Sequence, residues 1–241
     1  GIIGRYTSFI KNSTFTLDGT VYNLADNAKP HHIHGGKKGF DKRLWQVIKH
    51  QKNADNVSLK LGLKSADGEE SYPGNVEVSV EYVLTNNNEL KINYQGTTDK
   101  RTPLSLTNHT YFNLNGFKSD ALDHNVQLLS NAYLTPDDVG MHDGKLTKVN
   151  GATDFNQLKP LRSAFKALPQ GFEHFYVFDN TDKSLDKIAY VEEPTSGRSM
   201  EVFTTEPSTL FYTGRYTSDK LAREDGTQFG QFRAFCIETS C

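Results

Sequence analysis

Residues 76–82 read VEVSVEY, and in this stretch apolar side chains alternate strictly with polar ones. An alternation of period two predicts a β-strand that has one face against a core and the other in water. Similar alternation recurs at residues 59–63 (LKLGL) and 90–94 (LKINY). The segment TNNNE at residues 85–89 predicts a hairpin turn, because Asn tolerates left-handed backbone conformations. The chain is therefore predicted to contain antiparallel strands.

Further strands are predicted along the whole chain, and helical periodicity is nearly absent. They are expected near residues 15–22, 43–50, 175–178, 188–191, 200–204 and 232–237. The 241 residues include 15 Phe, 11 Tyr and 19 Gly, a composition that suits half-exposed strands joined by tight turns. No linker, low-complexity tract or fixed-period repeat divides the chain. We therefore expect one all-β domain over residues 1–241, either a sandwich or a barrel.

Charge and hydropathy argue against several classes of partner. The formal net charge is -2, from 27 basic and 29 acidic residues, and the sequence has no long basic run. Binding to nucleic acid or to an anionic membrane surface is therefore not expected. No stretch approaches the roughly 18 consecutive apolar residues of a membrane helix. We expect a soluble protein.

The localisation is left open by the sequence. The chain starts without an initiator Met and without a signal-peptide layout, so a targeting segment could already have been removed. Asn12 and Asn56 each begin an N-x-S/T acceptor, which weakly favours a secreted glycoprotein over a cytoplasmic protein. Cys236 and Cys241 are too few for a disulfide framework and lack CxxC spacing.

One histidine lies within a β-like alternation, TNHTYFNLNG at residues 107–116. Period two places His109, Tyr111 and Asn113 on one face of a strand, and Phe112 and Leu114 on the other. An imidazole titrates near neutral pH and can give or take a proton there. The spacing alone leaves two interpretations open, a proton-transfer residue and a core histidine bonded to the backbone.

A histidine cluster, His31, His32 and His34, runs into a glycine pair. On a strand, His32 and His34 would share a face, which is also the spacing of a metal-binding pair. A metal site needs a third and usually a fourth ligand, and no HExxH motif or carboxylate partner is apparent nearby. We therefore expect no metal at this cluster.

Two carboxylates lie next to predicted strands. In FCIETS, residues 235–240, alternation places Glu238 on the face opposite Phe235 and Ile237, where a fixed general base could sit. The alternative is a solvated glutamate at a strand edge. In GFEHF, residues 171–175, Glu173 and His174 precede an aromatic strand, and the alternative there is a surface ion pair.

The motifs of other enzyme classes are missing from the sequence. No GxSxG elbow, P-loop or dinucleotide fingerprint is present. The remaining histidine and carboxylate set fits acid–base chemistry on a neutral polar ligand. A sugar is the natural candidate, because Trp45 and many Phe and Tyr side chains are available for stacking.

Five motifs occur in order: HxHGGxxGFDKxLW at residues 32–45, YPGxVEVxVxYxLTxxNELxIxY at 72–94, LTNHxYFNLNG at 106–116, TTEPxxxFYTG at 204–214, and FCIET at 235–239. Together they closely resemble the aldose 1-epimerase (galactose mutarotase) family over almost the whole chain. The resemblance implies a twisted antiparallel β-sandwich of the galactose-mutarotase type, with an open cleft for a hexose. It also implies that neither a metal nor a cofactor is used.

The resemblance assigns roles to particular residues. His109 matches the family's general acid, Glu238 its general base, and His34 the histidine that positions the sugar and its ring oxygen. Further sugar contacts are expected at Glu173, Tyr111 and Phe9. Three positions depart from the family pattern. These are Ser8 where Asn is usual, Phe9 where a substrate-binding Arg is usual, and Glu173 where Asp is common.

The implied activity is the interconversion of the α and β anomers of a hexose such as galactose or glucose. The expected partner is a small sugar, and the expected assembly is a monomer or weak dimer. A sugar-binding protein with little or no turnover is the alternative, and a hexose-6-phosphate epimerase lacks support because no Arg cluster accompanies the histidines. Family members continue beyond both ends of this sequence, so we expect that strands at both termini are missing from it.

Overall fold

Strands make up almost all of the regular structure, as the alternation predicts. The computed structural model describes residues 1–137, 140–179, 182–227 and 229–241. These residues form two packing units, an amino-terminal unit of Ile2–Leu106 and a carboxy-terminal unit of Gly1 with Thr107–Cys241. The single domain expected over residues 1–241 stays a prediction. Among the described residues, no helix is long and apolar enough to cross a membrane.

The strands of the amino-terminal unit are β1 (Ile2–Ile3), β2 (Phe9–Ile10), β3 (Thr14–Leu17), β4 (Thr20–Asn23), β5 (His32–Ile33), β6 (Gln46–Lys52), β7 (Asn56–Ser65), β8 (Val76–Thr85) and β9 (Leu90–Thr98). The unit is dominated by one four-stranded antiparallel sheet of order β6-β7-β8-β9. Three single-turn 3-10 helices lie between the strands, Lys11–Ser13, Phe40–Lys42 and Glu69–Ser71.

The alternation at residues 76–82 produces the expected two-faced strand. Val78 and Val80 are buried, whereas Glu77 on the opposite face is exposed. Strands β8 and β9 form the predicted hairpin, and Asn88 in its turn has a left-handed φ of 60°. Both the register and the turn chemistry of this hairpin therefore follow from local sequence.

Two strand predictions in the amino-terminal unit need correction. Residues 15–22 form a hairpin of β3 and β4 rather than one strand, because the chain reverses at Asp18 and Gly19, both of which have positive φ. The strand predicted over residues 43–50 begins only at Gln46. It starts late because the 3-10 turn Phe40–Lys42 precedes it, and Trp45 Nε1 donates a hydrogen bond to the carbonyl of Phe40.

The strands of the carboxy-terminal unit are β10 (Thr107–Asn108), β11 (Asn125–Leu128), β12 (Ala132–Pro136), β13 (His142–Lys148), β14 (Lys159–Pro160), β15 (Glu173–Val177), β16 (Asp186–Glu193), β17 (Arg198–Thr204), β18 (Ser208–Tyr212) and β19 (Cys236–Ser240). The unit is a sandwich of two antiparallel sheets, one of order β14-β11-β16-β17 and one of order β13-β12-β15-β18-β19. The helical elements described here are one α-helical turn, α1 (Arg162–Phe165), and the 3-10 turn Gly151–Thr153.

One apolar core fills the space between these two sheets. Val126 and Val191 come from the four-stranded sheet, and Tyr176, Phe211 and Ile237 come from the five-stranded sheet. All are buried, so each sheet presents one apolar face to the other. The opposite face of the five-stranded sheet does not pack against this core.

Two predicted strands of the carboxy-terminal unit end earlier or start later than expected. The strand over residues 232–237 starts only at Cys236, because Phe232 has a φ of 58° and a strand cannot pass through that conformation. The alternating segment at residues 107–116 is a strand only at Thr107–Asn108. Beyond it, Phe112 forms an isolated bridge with Phe235, and both side chains pack at the core.

Candidate active site

The face of the five-stranded sheet that points away from the core carries two carboxylates. Directly paired residues place their side chains on the same face, and Glu173 pairs with Tyr212, which in turn pairs with Cys236. Two residues along, Leu210 pairs with Glu238. Glu173 and Glu238 therefore share a face, with strand β18 between their own strands.

Glu238 is a buried carboxylate. Its side chain is 2% exposed, so the solvated strand-edge alternative is wrong, although β19 ends the order of its sheet. Alternation places it opposite Ile237 as predicted. Burial raises the pKa of Glu238 to about 8, and the nearby charge of Glu173 acts in the same direction. A carboxylate with such a pKa is a much stronger base than an exposed one.

His109 lies directly against this carboxylate. Strand β10 ends one residue earlier, and the backbone N–H of His109 donates to the carbonyl of Gly1. Nδ1 of His109 is 3.4 Å from Oε1 of Glu238, and the imidazole is 15% exposed. The histidine is therefore a partner of Glu238 at the rim of the buried site rather than a fully buried residue of the core.

Aromatic rings hold the His109 imidazole in place. Tyr111 stacks on it at 5.0 Å with an interplanar angle of 17°, and Tyr212 meets it edge-on at 6.4 Å. Tyr111 is 38% exposed, so one part of its ring stays available to a ligand. The predicted shared side of His109 and Tyr111 is thus confirmed, even though the strand ends before them.

Cys236 is the third group at this point. Its sulfur lies 3.5 Å from Nδ1 of His109, and the residue is completely buried. Burial raises the pKa of the Cys236 thiol. One ligand atom each from His109, Cys236 and Glu238 lies within 4.8 Å of the others, so within the described residues this trio is the group able to hold a metal ion.

Glu173 is the second buried carboxylate on this face, so the surface ion pair alternative is wrong. Burial raises its pKa to about 7, and the guanidinium of Arg215, 3.8 Å away, opposes that shift. A side-chain hydrogen bond with Tyr216 acts in the same sense as Arg215. Gly140 lies against the carboxylate, since a Cβ built there would fall 2.4 Å from Glu173 Oε1.

His174 next to it points the other way, into the core. Its ring packs on Phe172 and Tyr133, and its Nδ1 accepts the backbone N–H of Glu173 at 3.2 Å. Burial lowers the pKa of His174 to about 4, so the imidazole is neutral at physiological pH. It is a core histidine.

Three residues near the carboxylates were not predicted as site residues. They are Tyr212, which lies between Glu173 and Cys236, and Arg215 and Tyr216 beside Glu173. The hydroxyl of Tyr212 accepts the backbone N–H of Tyr216 at 2.9 Å, which ties the loop after β18 to the sheet. Tyr212 lies inside the motif TTEPxxxFYTG, so membership of that motif is the sequence signal by which it could have been found.

His34 and Phe9 belong to the amino-terminal unit and are described within it. Phe9 pairs with Ile33, and the backbone N–H of Ser8 donates to His34 Nδ1 at 3.2 Å. His34 has a φ of 54°, so it leaves strand β5 and does not share a face with His32, contrary to the prediction. The half-buried Phe9 ring meets His31 edge-on at 6.1 Å.

His32 has a structural role in that unit. It is completely buried, its Nε2 lies 2.8 Å from the Tyr72 hydroxyl, and its Nδ1 lies 2.8 Å from the carbonyl of Ala25. Both ring nitrogens are thereby occupied by neighbours. A metal-binding pair of His32 and His34 is not formed.

Comparisons with known proteins agree with this architecture. The sequence model of the aldose 1-epimerase family matches residues 1–241. The aldose 1-epimerase of Escherichia coli K12 is 33% identical over 244 residues, which cover 98% of this chain and 69% of that protein. The galactose mutarotase of Bos taurus is 38% identical over 245 residues, covering 99% and 68%.

Solved structures are similar over the whole chain. The galactose 1-epimerase of Lactobacillus acidophilus NCFM has a TM-score of 0.86 at 26% identity, covering 100% of this chain and 70% of that one. An aldose epimerase homologue from C. elegans has a TM-score of 0.84 at 25% identity, covering 99% and 72%. The fold and these matches define an isomerase with the galactose-mutarotase fold, as expected. The chain belongs to the aldose 1-epimerase family.

Proposed function

We propose that this chain interconverts the α and β anomers of a hexose such as galactose or glucose, with Glu238 as general base and His109 as general acid. The contact between these two side chains, 3.4 Å from Nδ1 to Oε1, is the observation that carries the proposal. A member of this family with an acid–base pair on one sheet face has the groups that hemiacetal opening requires.

The reaction consists of two opposed proton transfers. The Glu238 carboxylate takes the proton of the anomeric hydroxyl while protonated His109 delivers a proton to the ring oxygen, and the bond from the anomeric carbon to the ring oxygen breaks. The open aldehyde turns about its neighbouring bond and presents its other face. On reclosure, neutral His109 takes the proton of the chain hydroxyl and protonated Glu238 returns one to the former carbonyl oxygen.

The environment of Glu238 suits this cycle. After ring opening the carboxyl group is protonated, and the burial that raises its pKa to about 8 stabilises that form. Because both partners exchange one proton with the sugar, the pair returns to its starting state after each turnover. Each positioned proton-transfer group is typically worth about 100-fold to 10,000-fold in rate.

Sugar contacts are proposed at Glu173, Tyr111, His34 and Phe9. Glu173 is supported by its position on the same sheet face as Glu238, and Tyr111 by its partly exposed ring beside His109. For His34 and Phe9 the support is the family alignment, together with the pairing of Phe9 with Ile33 and the hydrogen bond from Ser8 to His34, which hold the two residues on neighbouring segments.

A sugar-binding protein with little or no turnover is the second candidate. Phe9 favours it, because an aromatic ring cannot replace the hydrogen bonds of the Arg that is usual at this position. We also propose that the chain is a monomer or weak dimer, which sedimentation of the purified chain would test. We propose further that it binds neither nucleic acid nor membrane. Secretion and glycosylation at Asn12 or Asn56 stay predictions.

Polarimetry separates the two candidates. Freshly dissolved α-galactose and α-glucose are expected to reach their equilibrium rotation faster with the protein than without it, and a panel that adds xylose and arabinose would rank the aldoses. If every sugar relaxes at the uncatalysed rate while calorimetry still detects sugar binding, the chain is a sugar-binding protein and not an active enzyme.

A further inference from the structure

Three buried or nearly buried ligand atoms converge beside the proposed acid–base pair. Nδ1 of His109 is 3.5 Å from Sγ of Cys236 and 3.4 Å from Oε1 of Glu238. All three ligand atoms lie within 4.8 Å of one another. The acid–base chemistry uses His109 and Glu238 and leaves the sulfur without a function.

Two of these separations match those of ligands that share a tetrahedral zinc ion, and the third, between Sγ of Cys236 and a Glu238 oxygen, is at most 4.8 Å. Zinc lies about 2.3 Å from a thiolate sulfur and about 2.0–2.2 Å from imidazole nitrogen or carboxylate oxygen. Two ligands that subtend a tetrahedral angle at those bond lengths are roughly 3.4 Å apart for nitrogen and oxygen, and roughly 3.5 Å apart for nitrogen and sulfur. An ion could therefore be accommodated with small side-chain shifts.

The carboxylate of Glu238 supplies the second, independent observation. Its side chain is 2% exposed, and apart from the contact with His109 neither oxygen has a hydrogen-bond partner among the described residues. A buried carboxylate that is so poorly satisfied gains strongly from a cation. Because Cys236 is fully buried and His109 is 15% exposed, an ion would arrive from the His109 side.

We propose that His109, Cys236 and Glu238 form a three-ligand site for Zn²⁺ or a similar thiophilic divalent ion, whose occupancy inhibits the enzyme. Three protein ligands with a fourth position open to water are a usual set for zinc, and the thiolate selects it over Mg²⁺. On binding, the thiol releases its proton to solvent. The inhibitory consequence rests on the proposed function, because the ion would occupy the general acid and the general base together; the site itself does not.

Binding should be measured separately from activity. Competition between the purified chain and a chromogenic chelator for Zn²⁺ gives the affinity, and Co²⁺ in place of Zn²⁺ should show the charge-transfer absorption of a thiolate ligand. Cys236→Ala should lower the affinity for Zn²⁺ by more than the roughly 10- to 100-fold that results from loss of a residue hydrogen-bonded to a ligand. Glu238→Gln, which is nearly isosteric, should also weaken it, while Cys241→Ala at the exposed cysteine should not.

Activity is the second readout. Zn²⁺ should slow mutarotation of galactose at least 10-fold at saturation, a chelator should restore it, and Mg²⁺ should have no effect. If the chain binds Zn²⁺ through Cys236 but does not catalyse mutarotation, the proposed metal site is supported and the proposed enzyme activity is wrong. Zinc affinity that is absent, or that is unchanged in both Cys236→Ala and Glu238→Gln, would overturn the metal site whatever the activity.

Discussion

Nδ1 of His109 lies 3.4 Å from Oε1 of Glu238 on the outer face of a five-stranded sheet. At this distance one side chain can donate a proton while the other accepts one, which leaves one acid and one base in either arrangement. Mutarotation needs one of each in both directions. The pair therefore suits a reversible exchange of protons with a sugar.

Loss of either member should abolish most of the catalysis. We expect Glu238→Gln and His109→Asn each to lower turnover at least about 100-fold, with a much smaller change in galactose affinity, because both act chiefly in proton transfer. The double mutant should lose little more than either single mutant, since the pair acts as a unit. Polarimetry measures turnover, and calorimetry measures galactose binding.

The matched controls are Glu77→Gln and His50→Asn, which make the same substitutions at exposed positions of the amino-terminal sheet. Both should retain parental rates. Near-parental turnover in Glu238→Gln or in His109→Asn would remove that residue from the mechanism.

The burial of Glu238 should make stability depend on pH. Its folded-state pKa of about 8 lies above the ordinary value of 4.5, so the folded state holds the proton more tightly and stability falls as the pH rises from 4.5 to about 8. Glu238→Gln removes this dependence. The free energy of unfolding of the mutant minus that of the parent should therefore increase by about 2 to 5 kcal/mol as the pH is raised from 5 to 8.5.

Urea unfolding of both proteins at the two pH values tests this, and the titrating groups that do not interact with Glu238 cancel because both proteins contain them. The exposed control Glu77→Gln should show the same difference from the parent at both pH values. A constant difference for Glu238→Gln would mean that Glu238 is ionised in the folded protein throughout this range.

Gly140 should be needed to hold Glu173 in place. A Cβ at Gly140 would fall within 2.4 Å of the Glu173 carboxylate, and Gly140 has a φ of 83°. Gly140→Ala is therefore expected to displace the carboxylate and to raise the Michaelis constant for galactose. Since a hydrogen bond to a charged group is worth roughly 1.5–3 kcal/mol, the increase should be about 10- to 100-fold.

Gly144→Ala separates this effect from backbone strain. Gly144 has a similar φ of 80°, and a Cβ there meets nothing within 4 Å. Both mutants should lose some stability, but Gly144→Ala should keep the parental Michaelis constant. Equal Michaelis constants in the two mutants would show that Glu173 does not contribute to sugar binding.

Phe9 should set selectivity rather than chemistry. Phe9→Arg combined with Ser8→Asn restores the usual family residues, and Ser8 has a φ of 59°, a conformation that Asn adopts readily. We expect the Michaelis constant for galactose to fall about 10-fold or more, because Arg can donate hydrogen bonds to a sugar hydroxyl. The pH dependence from pH 5 to 9 should stay as in the parent.

Ser8→Asn alone is the control, and it should leave the Michaelis constant unchanged. An unchanged affinity with a shifted pH profile in the double mutant would show that Phe9 does not contact the substrate. The alignment of the first ten residues would then be wrong.

Alternation predicted which side chains share a face more reliably than it predicted where strands end. Glu238 lies opposite Ile237 as expected, and His109 and Tyr111 lie together although the strand stops at Asn108. The failures have local causes. Positive φ at His34 and Phe232 interrupts a period-two pattern, and nothing in the polarity of a side chain reports its backbone angle.

The sequence by itself determined the all-β class, the hairpin of β8 and β9, and the family, because these depend on periodicity, turn chemistry and ordered motifs. The tertiary structure alone decided that Glu238 is buried and that His109 and Cys236 meet it. A strand pattern specifies a face but not what covers that face. The packing of β15, β18 and β19 with the segment after β10 removes water from the carboxylate, and that desolvation raises its pKa into the range in which it can exchange protons.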